Sequence, residues 1–267
     1  MGVNMEKKLE AFKRLLIIMD ELRAKCPWDK KQTFDSLRAN TIEETYELCD
    51  AIMKKDTKEI KKELGDVLLH IVFYSKIASE TNDFDIADVC NSLCDKLIFR
   101  HPHVFGEGNA KSAGEVEQSW EQIKQKEKDG NKSVLAGVPD ALPALIKCYR
   151  IQDKARNVGF DWKEKEDIWH KVEEELNEFK DEVHAMNQEK MEEEFGDLLF
   201  SMINAARLYK INPENALERC NRKFIRRFNH IEKRTKEENK ELSQLSLEEM
   251  DAYWDEAKRI ERENIQS

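Results

Sequence analysis

Two sets of carboxylates recur in this chain at one spacing. Glu43-Glu44-Thr-Tyr-Glu47 is followed by Glu63-Leu-Gly-Asp66, and Glu174-Glu175-Leu-Asn-Glu178 is followed by Glu194-Phe-Gly-Asp197. Nineteen residues separate Glu44 from Glu63, and nineteen separate Glu175 from Glu194. Residues three or four apart share one face of a helix. Glu175 and Glu178 therefore project together, and Glu194 and Asp197 project together from the next helix. A short connection makes these helices antiparallel neighbours, so Glu175, Glu178, Glu194 and Asp197 converge across one groove. Like charges so placed repel, which raises their pKa values or demands a cation. An all-oxygen donor set suits hard divalent ions, Mg²⁺ first and Mn²⁺ second. Glu44, Glu47, Glu63 and Asp66 make a second candidate site of the same kind.

In a chain with 55 acidic residues, one Glu-Glu-x-x-Glu run is usually a solvated helix face. Two facts favour a site here. The whole four-part arrangement occurs twice, and the second acidic pair abuts the apolar Leu198 and Leu199. A di-iron bundle would need Glu-x-x-His on two helices, a pattern the chain does not contain.

Basic residues lie at matching offsets. Lys171 precedes Glu175 by one turn, Lys190 precedes Glu194 by one turn, and Lys223 and Arg227 lie one turn apart further on. Such cations are natural partners for a triphosphate tethered to metal. In the first copy Asn40 and Glu59 take the places of Lys171 and Lys190, so the second copy is expected to carry the main activity. The His101-Pro-His103 run has no cysteine or third histidine near it in sequence and reads as loop packing rather than a zinc pair. His70, one turn after Asp66, reads as an ordinary helix residue rather than a ligand.

The elements that must position these groups are helices. Apolar side chains fall at Leu64, Val67, Leu68, Ile71 and Val72, and again at Phe195, Leu198, Leu199, Met202 and Ile203. Val172, Leu176, Phe179 and Val183 show the same spacings of three and four, the mark of one buried helix face. No stretch alternates with period two and no hairpin signal appears. The expected fold is all-α, two tandem helical-bundle modules. Further landmarks pair in order: Lys96-Leu-Ile-Phe-Arg100 with Lys223-Phe-Ile-Arg-Arg227, and Trp120-Glu-Gln-Ile-Lys124 with Trp254-Asp-Glu-Ala-Lys258. The modules are expected over residues 5–128 and 140–265, joined by a turn-rich linker at 129–139.

Composition agrees. Charged residues are 37% of 267, with only 9 Gly and 5 Pro, as suits long solvated helices. A net charge of −10 argues against nucleic acid, whose phosphates call for clustered Lys and Arg, though not against a small phosphorylated ligand. No run is apolar and long enough to span a membrane. The six cysteines form no Cys-x-x-Cys pair and read as reduced thiols of a cytoplasmic protein.

Glu-Glu-x-x-Glu followed by Glu-x-x-Asp resembles the signature of MazG-type nucleotide pyrophosphohydrolases, within the all-α NTP pyrophosphatase superfamily. Cys26-Pro-Trp-Asp29, Arg100-His-Pro-His-Val-Phe-Gly106, Gly137-Val-Pro-Asp-Ala-Leu-Pro143 and Val158-Gly-Phe-Asp-Trp162 look like other landmarks of the two-module members. The resemblance implies hydrolysis of nucleoside triphosphates to monophosphate and pyrophosphate, with broad base tolerance and a homodimer. By motif, Glu175, Glu178, Glu194 and Asp197 would hold Mg²⁺. Lys171 to Glu174, Lys190 to Glu193, Lys223 to Arg227, and Trp254 would line the nucleotide site. Water would attack the α-phosphorus, with Glu174 or Glu175 accepting its proton. Trp254 suits stacking on a base or anchoring the last helix equally well. A narrower relative, acting on dUTP or phosphoribosyl-ATP, and a non-catalytic acidic adaptor are the competing readings.

Overall fold

The computed structural model describes residues 2–106, 116, 123 and 133–266. Every regular element among them is helical, as the periodicity leads one to expect. In chain order they are α1 (Gly2–Lys25), a 3-10 turn (Asp29–Lys31), α2 (Phe34–Lys54), α3 (Thr57–Glu80), α4 (Ile86–Arg100) and the short α5 (Pro102–Phe105). After residues 107–132 come α6 (Ala144–Arg156), α7 (Asp167–Ala185), α8 (Gln188–Leu208), α9 (Pro213–Glu237), a 3-10 turn (Leu242–Gln244) and α10 (Leu247–Gln266). The chain divides into two compact units, one holding α1–α5 and the other α6–α10. Of the linker expected at 129–139, residues 129–132 lie outside the described residues, as does most of the Trp120–Lys124 landmark. None of the described helices is long and apolar enough to cross a membrane.

Each unit is built on a hairpin of two helices, α2–α3 in the first and α7–α8 in the second. Both hairpins turn by the same device. Lys55 (φ 57°) and Met186 (φ 54°) end the leading helix in left-handed backbone, and an Asx residue then caps the next helix. The Asp56 carboxylate accepts the Lys58 and Glu59 amides at 2.9 and 3.2 Å, and Asn187 Oδ1 accepts the Lys190 amide at 3.4 Å. Glu44 and Glu175 stand eleven residues before the left-handed residue, and Glu63 and Glu194 eight after it. The 19-residue spacing is thus a run up one arm of a hairpin and back along the other.

The cores lie beside these hairpins. Met19, Leu37, Val72 and Phe73 are buried together in the first unit, with Phe12, Leu15, Leu16 and Tyr74 against them. Ile168, Val172 and Ala205 form the core of the second, flanked by Leu198 and Leu208. The expected single buried face needs correction. Val72 and Ile203 are buried and Val67 and Leu198 half-buried, but Leu64, Leu68, Ile71, Phe195, Leu199 and Met202 are exposed. On α7, Val172 is buried and Phe179 half-buried, while Leu176 and Val183 are exposed. The apolar stripe is broader than the arc that its neighbours within a unit cover, so periodicity marked the stripe without marking which edge is enclosed.

Candidate active site

The α7–α8 hairpin brings three of the four expected carboxylates together. One oxygen each from Glu175, Glu194 and Asp197 lies within 4.8 Å of the others. Glu175 is buried at 6% exposure, so its charge faces its neighbours with little water between. Glu178 stands one turn along α7 at the rim, exposed, and outside this group. It nevertheless feels the group. Desolvation, then the Glu175 charge and a hydrogen bond to Glu175, hold its carboxyl above the ordinary range. Glu194 is raised likewise, by desolvation first and then by Asp197 and Glu175. Crowding that raises the Glu178 and Glu194 carboxyls is relieved by a hard divalent cation. These residues fit one.

The expected cations divide. Lys171 Nζ is bound to the carboxylates of its own helix, 2.8 Å from Glu174 Oε1 and 2.7 Å from Glu175 Oε1. Hydrogen bonds to Glu174 and Glu175 push its ammonium well above the usual lysine range. Lys190, near the start of α8, lies 3.5 Å from Glu182 across the hairpin, and Glu193 is exposed beside Glu194. Lys223 and Arg227 line a different cavity, about 610 Å³, between α9 and α10, with Arg226, His230, Lys258 and Arg262. Arg227 is held there by Glu261 at 2.8 Å and lies 5.4 Å from the Trp254 ring centroid. Trp254 is half-buried and packs against Phe224 at 5.1 Å.

What opens onto the acidic group is a cavity of about 630 Å³ whose wall carries Lys171, Glu175 and Asp197 at one end. Its other walls include Ile168, Phe200, Phe160 and Trp162, with Gln152, Asn204 and Arg207 as polar groups. The segment after α6 shapes it. Gly159 (φ 88°) takes left-handed backbone that disfavours any side chain. The Phe160 amide then bonds back to Ala155 O at 3.1 Å, closing the helix as a Schellman turn does. Asp161 is fastened to α8 by Arg207, through Nη1 at 3.1 Å to Oδ2 and a second bond from Nη2 to Oδ1. Asn204 Oδ1 takes two further Arg207 N–H groups at 3.1 and 2.8 Å. The Arg207 side chain is 5% exposed, so the pair is a buried anchor rather than a surface ion pair. In the sequence Val158–Trp162 is a landmark of the family resemblance with no role of its own. Its signal was a glycine between apolar and aromatic residues in a charged stretch. Gln152, Asn204 and Arg207 carried no signal, since lone polar residues in helices gain meaning only from what the fold places beside them.

The first unit repeats the carboxylate geometry with different neighbours. Glu44, Glu63 and Asp66 also place one oxygen each within 4.8 Å of the others, and Glu47 lies outside that group. Glu44 is raised by desolvation and then by Asp66, Glu47 and Glu63. Glu63 is 3% exposed; its Oε1 meets Lys62 Nζ at 2.8 Å while Oε2 is buried without a partner. Lys62 thus stands in for Lys171 as the neutralising cation, and Asn40 is exposed. His70 is engaged elsewhere, its Nδ1 3.0 Å from Thr41 Oγ1, which in turn lies 2.6 Å from the Tyr74 hydroxyl. Glu43, Glu47, Asp50 and Glu59 dominate the adjoining cavity, along with Tyr46, Lys54 and Lys62.

Paired motifs, paired hairpins and paired carboxylate groups agree with a direct match to a known family. Residues 32–105 and 163–232 each match the model of the MazG nucleotide pyrophosphohydrolase domain. The chain belongs to this family. A Thermotoga maritima protein named nucleoside triphosphate pyrophosphohydrolase/pyrophosphatase MazG is 46% identical over 250 residues, covering 92% of this chain and 95% of that one. An Escherichia coli K12 protein named nucleoside triphosphate pyrophosphohydrolase is 43% identical over 255 residues, covering 93% of this MazG-family chain and 97% of its relative.

Proposed function

We propose that this MazG-family chain hydrolyses nucleoside triphosphates to the monophosphate and pyrophosphate at the α7–α8 hairpin, with Mg²⁺ and with tolerance for different bases. The observation that carries this reading is the Glu175–Glu194–Asp197 group opening, beside Lys171, onto a cavity of about 630 Å³. That volume is within the range of small-molecule sites, roughly 300–1,000 Å³. The names of the two relatives support the reaction class.

Glu175, Glu194 and Asp197 would hold the ion, with Glu178 at the rim. A divalent ion there supplies charge neutralisation on phosphate oxygens and a more acidic water. The chain's own groups do the rest. Glu174 or Glu175 would accept the proton of the attacking water; Glu174, exposed and outside the three-carboxylate group, would be free of the ion to do so. Lys171, paired with Glu174 and Glu175, would be a cation for phosphate once those carboxylates had other partners. Lys190 and Glu193 flank Glu194 at the start of α8. Lys223, Arg227 and Trp254 belong to this reading through the family resemblance, and their basic cavity suits phosphate. A homodimer is the assembly in which one copy can offer that cavity to another.

Chromatography of ATP incubated with the protein and Mg²⁺ tests the proposal. AMP and pyrophosphate are expected, and EDTA stops their release. Release of ADP and orthophosphate would place attack on the γ-phosphorus and overturn the assignment.

A further inference from the structure

The first unit carries more carboxylates than one ion can use. Beside the Glu44–Glu63–Asp66 group lies a cavity of about 450 Å³, lined along α2 by Glu43, Glu47 and Asp50 and along α3 by Glu59 and Glu63. Two of these acids have a lysine of the hairpin, Asp50 with Lys54 and Glu63 with Lys62. Among the described residues no lysine or arginine nitrogen lies within ion-pairing distance of Glu43, Glu47 or Glu59. The second unit answers the same charges from its own chain. Glu174, which matches Glu43, is bound by Lys171, and Lys190, which matches Glu59, reaches Glu182. Asn40, Glu59 and Ala51 stand in the places of Lys171, Lys190 and Glu182. Glu63 is the group that asks for a ligand. It is 3% exposed, its Oε2 is buried without a partner among the described residues, and it lines this cavity. A buried oxygen so placed has lost its water and gained nothing in return.

We propose that this cavity binds a linear polyamine, an alkyl chain carrying three ammonium groups. A divalent ion on Glu44, Glu63 and Asp66 would leave Glu43, Glu47 and Glu59 uncompensated, and the volume is that of a small-molecule site, roughly 300–1,000 Å³. The layout of the acids favours a linear cation. Glu43, Glu47 and Asp50 follow one another along a single face of α2, at steps of about 6 and 4.5 Å of helical rise. Glu59 and Glu63 line the cavity from α3, again one turn apart. Amines joined by three- and four-carbon links present positive charge at a like repeat. The walls already hold this chemistry, since Lys54 and Lys62 set primary alkylammonium groups on Asp50 and Glu63. Between the acids, Ala51 and the Tyr46 ring, 55% exposed, offer apolar contact to methylenes and an aromatic face to an ammonium. The same charges repel phosphate. The first hairpin has thus kept its carboxylates and inverted the sign of what its cavity takes up, whatever reaction the second unit performs.

Calorimetry of the full chain with spermidine, in saturating Mg²⁺ so that divalent-ion sites are filled, tests the proposal. One equivalent per chain is expected, bound about tenfold more tightly than hexaamminecobalt(III), which carries the same charge in compact form. Glu59→Lys should weaken spermidine about tenfold, and Glu59→Gln, which keeps the shape, about threefold, as for one partly screened charge pair. Glu10→Lys on α1 makes the same change in net charge at an exposed position outside the cavity and should leave binding unchanged. Glu59 is exposed at the start of α3, so its replacement disturbs no core, and circular dichroism checks each variant. The proposal is overturned if spermidine binds only at several weak sites, no more tightly than hexaamminecobalt(III), or not at all in Mg²⁺. It is equally overturned if both Glu59 variants bind as wild type does, or if Glu10→Lys weakens binding as far as Glu59→Lys.

Discussion

Glu178 and Glu194 are carboxyls held above their ordinary value of 4.5 by desolvation and by one another's neighbours. An acid whose pKa rises on folding binds more protons in the native than in the unfolded state at pH values just above 4.5. Its contribution to stability is therefore lost as pH rises through that window, and the ionised group is a liability at neutral pH. In EDTA, Glu194→Gln should raise the thermal midpoint at pH 7, and the gain should shrink to nothing as pH falls below the ordinary value. Mg²⁺ should reverse the order, favouring wild type. Differential scanning calorimetry reads both, and a pH-independent difference would show that like-charge repulsion is not the cause. At this scale the sequence was legible where spacing alone decides. Glu175, Glu194 and Asp197 meet because three-residue and 19-residue spacings fix them on facing arms. Glu178, one turn off, falls at the rim. Lys223, Arg227 and Trp254 were legible as a set, but sequence could not show that they line a cavity apart from the carboxylates. The direction each later helix faces depends on tertiary packing.

Helices and their turns were the most legible level. Apolar spacing marked α3, α7 and α8, and the Lys55-Asp56 and Met186-Asn187 links show why the two hairpins share one sequence register. The apolar faces were misjudged in extent. Leu199 and Met202 on α8, Phe195 before them, and Leu176 and Val183 on α7 remain exposed in the single chain. An apolar face this broad on paired helices supports the proposed homodimer, since burial returns about 25 cal/mol per Å² of apolar surface. Light scattering is expected to give twice the chain mass for wild type, and Met202→Glu with Leu199→Glu should shift it towards one chain. A wild-type mass of one chain would contradict the proposal.

Across the whole molecule, duplication has kept one feature in both units and changed its surroundings. Both carry a three-carboxylate group. In the first, Asn40 and Glu59 occupy the places of Lys171 and Lys190, Lys62 neutralises the buried Glu63, and the adjoining cavity is mostly acidic. In the second, the group opens beside Lys171 onto a largely apolar cavity with an aromatic wall. Cation binding is expected of both units, turnover of the second alone. ATP hydrolysis by Glu175→Gln and Glu44→Gln, followed by AMP formation in Mg²⁺ with the fold checked by circular dichroism, tests this most directly. Loss of a ligand to the ion costs several kcal/mol of transition-state stabilisation, on the order of a thousandfold in rate. Glu175→Gln should lose nearly all activity and Glu44→Gln little. Equal loss in the two variants, both folded, would contradict the assignment of catalysis to the second unit.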